Sequence, residues 1–136
     1  MNIHIQVVLP SQMRPEVDGA DWYFDSKGDL QVRVCPMSDE RMEIALAIHE
    51  AFEALLCKYD GVAVEQVDRF DQQYDKEHPD EDDTEAGDDP SAPYRIQHSL
   101  ATAVERIYVA HTNLDWKTYD DELRRVYPGP SHKKKP

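Results

Sequence analysis

The residues with the strongest claim to chemistry are His49, Glu50 and Glu53, in the string Ile48-His49-Glu50-Ala51-Phe52-Glu53-Ala54. On a helix, His49 and Glu53 are one turn apart and stack on one face. Glu50 then sits about 80–100° round from His49, on the flank of the same groove. An imidazole and a carboxylate so placed can fill two coordination positions of a zinc ion, and the neighbouring carboxylate can take a proton from water bound there. The HExxE spacing alone recurs by chance roughly once in 25 chains of this composition, so its weight comes from position. An imidazole and a carboxylate within an apolar stripe are expensive to bury unless paired or metal-bound. A His–Glu pair satisfied by local hydrogen bonds, with no metal, is the alternative.

A site on one helix is incomplete, and a later segment offers the rest. His98 and Glu105 are seven residues apart, two turns along one helical face, with the small residues Ala101 and Thr102 between them. Packed against the first helix, His98 could be a third ligand with Glu105 orienting a ligand from behind, or the two roles could be reversed. Other candidates rank lower. The acidic run Asp80–Asp89 lacks the spacing and closing Glu of an EF-hand calcium loop and reads as a solvated loop, able to act as a lid or to screen cationic substrates. Neither Cys35 nor Cys57 has a partner base, and no glycine-rich phosphate loop or GxSxG is present.

These residues must be positioned by elements that the pattern supplies. Apolar residues at Met42, Ala45, Leu46, Phe52 and Leu56 share a stripe with His49 and Glu53, widened by Ile44, Ile48 and Leu55. Ser38 is a suitable N-cap, Asp39 and Glu40 suit the helix dipole, and Gly61 supplies a stop, so the spacing predicts a helix over 39–59. Val64, Val67, Phe70 and Tyr74 predict a second helix over 62–75, and Ile96, Leu100, Ala101, Val104 and Ile107 a third over 94–112. Trp116, Tyr119, Leu123 and Val126 suggest a short last helix. Before these, Ile3, Ile5 and Val7 alternate with His4 and Gln6, as in a half-buried strand over 1–9. Trp22-Tyr23-Phe24 and Leu30, Val32 and Val34 flank a glycine-bearing turn, as in a hairpin. The expectation is an α+β fold: a small, mostly antiparallel N-terminal sheet, then the site-bearing helix and further packed helices. One domain would cover 1–127, with a mobile acidic loop at about 75–93 that contributes no core, and a disordered tail at 128–136.

Composition narrows the function classes. With 28 acidic against 15 basic residues the formal net charge is −13, which leaves no broad cationic surface for nucleic acid. No segment has the apolar length of a membrane span, and there is no secretory leader pattern. Two separated cysteines suggest neither a disulfide framework nor a zinc knuckle, so a reducing cytoplasm is the expected setting.

The order of a strand-rich start, a HExxE helix and a later helix with a further ligand, over residues 1–112, resembles the minimal zincin plan of small zinc metallopeptidase-like domains. The strings Ala47–Cys57, Val67–Asp71 and Gly87–Tyr94, with His98 and Ala103-Val104-Glu105, are also similar to a family of short phage-encoded proteins. The resemblance implies zinc held by His49, Glu53 and His98, with Glu50 as general base, acting on a peptide or amide. Glu53 stands where most zincins have His, and an anionic ligand makes the ion a weaker Lewis acid. A second expectation, from a different class, is a non-enzymatic acidic protein that binds a host protein partner and uses the His/Glu cluster for structure.

Overall fold

The computed structural model describes residues 1–14, 19–79 and 84–126; the tail at 128–136 lies outside them. Three strands, β1 (Ile3–Val7), β2 (Ala20–Phe24) and β3 (Leu30–Val34), precede four helices, α1 (Glu40–Asp60), α2 (Val64–Glu77), α3 (Arg95–His111) and α4 (Trp116–Val126). The fold is α+β, as the patterns indicated.

β2 and β3 form the expected antiparallel hairpin, with Trp22 opposite Val32 and Phe24 opposite Leu30. Its turn is built by the Asp25 carboxylate, which accepts from the Lys27 and Asp29 N–H groups, and by Gly28 at φ 81°. β1 adds to the other side of β3 in parallel, giving the order β1-β3-β2. One of the two pairings is therefore parallel. Residues side by side in a ladder share a face, so Ala20, Trp22 and Phe24 line up with Leu30, Val32 and Val34. α1 packs on this face, with Leu46, Ala47, Ala54 and Cys57 in the same core cluster as Trp22, Leu30, Val32 and Val34. β1 is not half-buried: all five of its residues are exposed, because it forms the sheet edge beyond the ground α1 covers.

α1 begins at Asp39, whose carboxylate accepts from the Arg41 N–H at 2.9 Å. Ser38, expected as the cap, is used elsewhere: its N–H donates to Glu122 Oε2 at 2.8 Å and its hydroxyl to the same carboxylate, tying α4 to the start of α1. Gly61 closes the helix at φ 74°. The buried sector of α1 faces both the sheet and α3. Phe52, placed by periodicity in the stripe, falls outside this sector and is 43% exposed. A second cluster, Met42, Ala45, Val109, Leu114 and Tyr119, joins α1, α3 and α4.

The acidic stretch departs most from expectation. Its beginning completes α2, and Ala86–Asp88 forms a 3-10 turn packed on α2 and α3. Gly87 and Ala92 are buried, and Ala92 belongs to the main core with Tyr94. The stretch does contribute core, through residues too small and too irregularly spaced to produce an apolar period.

Candidate metal centre

α1 and α3 lie against each other along their polar-bearing faces, and this brings His49, Glu53, His98 and Glu105 together, each 5–6% exposed. Helical spacing accounts for the local geometry. His49 and Glu53 are one turn apart on α1, and His98 and Glu105 face them from α3, across the fully buried Ala101 that allows the close approach.

Glu53 Oε2 is the centre of the arrangement. It lies 3.2 Å from His49 Nε2 and 2.9 Å from His98 Nδ1, and the two rings meet edge to face with centroids 4.8 Å apart. These three residues each offer one ligand atom, all within 4.8 Å of one another. The other oxygen, Oε1, accepts from the Trp22 indole N–H at 3.0 Å, which fixes the carboxylate from the sheet side.

Each histidine is also held from behind. His49 Nδ1 is 2.9 Å from Glu105 Oε1, and Glu105 Oε2 accepts from the Tyr119 hydroxyl at 2.5 Å. His98 Nε2 is 2.9 Å from Glu85 Oε2 and 3.5 Å from Asp88 Oδ1. Glu105 is thus on the far nitrogen of His49 and outside the group of three. Glu85, Asp88 and His98 Nε2 form a second group of possible ligand atoms, with both carboxylates exposed.

Ionised carboxylates only accept, so every imidazole nitrogen facing one carries a proton. Both rings are then imidazolium. Burial pushes the His49 pKa down, but Glu105 and Glu53 outweigh it and leave it well above the ordinary value. Burial likewise opposes, and Glu53 and Glu85 overcome, at His98, which rises to about 10. In return, the two rings hold Glu53 at about 2 against a burial effect of opposite sign. Two protons therefore occupy the space between the three ligand atoms, matching the charge of one divalent cation. Two imidazole nitrogens and a carboxylate oxygen are a donor set that zinc accepts, so the residues present fit the ion.

Glu50 is different in kind. It is partly exposed, and among the described residues none donates a hydrogen bond to its carboxyl. Burial, then the neighbouring Glu53 charge, push its pKa well above the usual carboxylate range. On the side of the site towards α2, Asp71 accepts from the Tyr94 hydroxyl, and burial raises Asp71 to about 7 despite that bond. Burial pushes the Cys57 thiol up to about 12, which keeps it protonated and unreactive at neutral pH.

Four residues of this site were not picked out from the sequence as parts of it. Trp22 and Tyr119 read there simply as core aromatics. Glu85 lay unmarked within the acidic run. Gly87 sits directly on the His98 ring: a Cβ built on it would lie 2.4 Å from His98 Cγ. A single glycine and a hydrophobic alanine beside it, interrupting the eight acidic or polar residues of the run Asp80–Asp89, were the available signal. No protein-family model matches this chain, and no curated protein or solved structure is significantly similar to it.

Proposed function

We propose that the protein binds a divalent metal ion, with zinc the best match, through His49, Glu53 and His98, and that it is a metal-dependent hydrolase acting on a peptide or amide bond. The observation carrying this reading is the position of Glu53 Oε2 between His49 Nε2 and His98 Nδ1, with each ring's far nitrogen on a carboxylate. A carboxylate behind each imidazole is the arrangement that fixes ring orientation and raises ligand basicity at metal sites.

Bound here, the ion would supply Lewis-acid activation of a water and of the scissile carbonyl. Glu50 is the one carboxyl of the group with its oxygens unengaged and partly open, and it would accept the proton from that water. Burial pushes the Glu50 pKa up, and positive charge at the site, whether the two imidazolium protons or the ion that would replace them, opposes burial and favours the ionised form that acts as a base. Glu105 and Tyr119 keep His49 aimed, Glu85 and Gly87 keep His98 aimed, and Trp22 fixes Glu53.

The test begins with elemental analysis of protein purified without a metal-affinity step, which should show about one equivalent of a divalent ion. Glu50→Gln should retain that ion and abolish hydrolysis of a peptide library. Metal-free protein, or turnover unaffected by Glu50→Gln, overturns the reading.

The near-complete burial of all three ligands favours a second reading, in which the ion is structural and the acidic surface binds a protein partner, with no reaction. It expects chelation to lower the melting temperature by several degrees in a protein that hydrolyses nothing. Among the described residues no helix is long and apolar enough to cross a membrane, and the two buried free thiols suit a reducing compartment such as cytoplasm.

A further inference from the structure

We infer that the protein is a two-fold dimer, built by antiparallel pairing of β1 with β1 of a second copy. The inference is independent of the metal reading and rests on the opposite edge of the sheet from Trp22.

Three features of β1 point to a second copy. The first is its backbone. The Leu30 N–H donates to the Asn2 carbonyl and the Val8 N–H to the Val34 carbonyl, so the even-numbered residues of this parallel strand turn their polar groups towards β3. The N–H and C=O groups of Ile3, Ile5 and Val7 therefore point out of the sheet, and among the described residues nothing bonds to them. A two-fold axis at Ile5 sets Ile5 opposite its own copy and Ile3 opposite Val7. Each such pair exchanges both backbone bonds, so every outward group between Ile3 and Val7 is satisfied.

The second feature is the side chains. Ile3, Ile5 and Val7 lie beside Leu30, Val32 and Val34, on the apolar face, yet remain 48%, 54% and 49% exposed. Pairing through the axis places an isoleucine or valine against each of them and extends the apolar face across both chains, while His4 meets Gln6 on the polar face.

The third feature is charge. Residues 1–13 contain no Asp, Glu, Lys or Arg, in a chain with 43 such residues and a net charge of −13. Edge strands of monomers are ordinarily protected by charged side chains, proline or a bulge; β1 has none of these. Two copies this acidic repel each other over most of their surfaces, so contact between them is cheapest where the charge is absent. A cationic or acidic partner would find nothing to pair with on this strand, whereas a second copy finds an identical neutral edge in register.

The experiment is sedimentation velocity and light scattering on the full chain across micromolar concentrations. The wild type should run as a dimer. Ile5→Lys places two like charges on the axis and should raise the dissociation constant about tenfold or more, with any fall in melting temperature confined to protein concentrations at which the wild type is dimeric. Two double variants keep the test decisive if that one misfolds. I3K/V7E sets opposite charges across the axis and should remain dimeric, whereas I3K/V7K sets like charges there and should be monomeric. A monomeric wild type, a dimer unaffected by Ile5→Lys, or identical behaviour of the two double variants overturns the inference.

Discussion

Two imidazoles that share one carboxylate oxygen and each rest on a second carboxylate leave little freedom to any atom of the cluster. Sensitivity should therefore extend to residues that are not ligands. Glu105→Gln leaves the three ligand atoms in place but weakens the hold on His49 Nδ1, and should lower metal affinity by about 10–100-fold while preserving stoichiometry. A competition titration with a chromogenic chelator reads this directly, and an unchanged affinity would show that Glu105 does not orient the ligand. Gly87→Ala is a steric counterpart. Its methyl would lie 2.4–2.8 Å from three atoms of the His98 ring, so the ring or the Ala86–Asp88 turn must move. We expect a loss of about 1–3 kcal/mol in stability together with weaker metal binding; a variant with wild-type melting and affinity would mean the turn yields freely. The pair His49/Glu53 and the later pair His98/Glu105 were legible in the sequence, because helical periods of four and seven fix which residues share a face. Glu85 and Gly87 were not, because a turn outside a regular element has no period to reveal which side chain it presents.

At the scale of elements, α1 is the beam on which the site is carried, and both its ends are determined by particular residues. Asp39 caps it, Gly61 stops it, and Glu122 of α4 binds Ser38 just ahead of it. Because α4 also supplies Tyr119 to Glu105, one helix supports both the beginning of α1 and the back of His49. Glu122→Ala removes the acceptor of the Ser38 N–H and hydroxyl, which water can replace at this exposed residue, and should cost about 0.5–1.5 kcal/mol. A shift in the denaturant midpoint with unchanged slope is the expected signature, and a shift of a few tenths of a kcal/mol or less would demote this tie to a surface contact. The first three helices and the hairpin were readable within about two residues from apolar spacing and glycine positions, and the fourth helix was expected without bounds. The order of strands was not. Alternation identifies β1 as a strand and says which side chains share a face, but it does not say which sheet edge the strand joins or whether a helix reaches over it. Ile3, Ile5 and Val7 consequently read as core when they are an uncovered edge. Ser38 and Asp39 illustrate the same limit more locally: both are good capping residues, and the choice between them was made by Glu122, which is 84 residues away from Ser38.

For the whole molecule, the proposed metal site predicts that stability depends on pH in opposite ways with and without an ion. In the metal-free protein the pKa of His98 is raised from 6.5 to about 10, and that of His49 is raised well above its ordinary value. A group whose folded pKa is raised contributes stability that is fully present below its unfolded pKa, here about 6.5, and lost as pH rises towards the folded value. Glu53, lowered from 4.5 to about 2, contributes stability present above about 4.5 and lost as pH falls towards 2. The metal-free protein is therefore held best by this cluster between about pH 4.5 and 6.5, and weakens through pH 7 to 9 as the two imidazolium protons become easier to lose. A bound ion needs those same nitrogens unprotonated, so its binding releases about two protons near neutral pH and tightens as pH rises. Subtracting the melting temperature of chelated protein from that of metal-loaded protein, at each pH, isolates this coupling, because titrating groups remote from the cluster cancel in the difference. The difference should grow steadily from pH 6 to pH 8.5 and be small below pH 6, and it should lose that slope in His98→Gln. A difference that is flat or shrinks with pH would place any bound ion away from His49 and His98, and would return the cluster to a buried network of hydrogen-bonded ion pairs that holds α1 against α3.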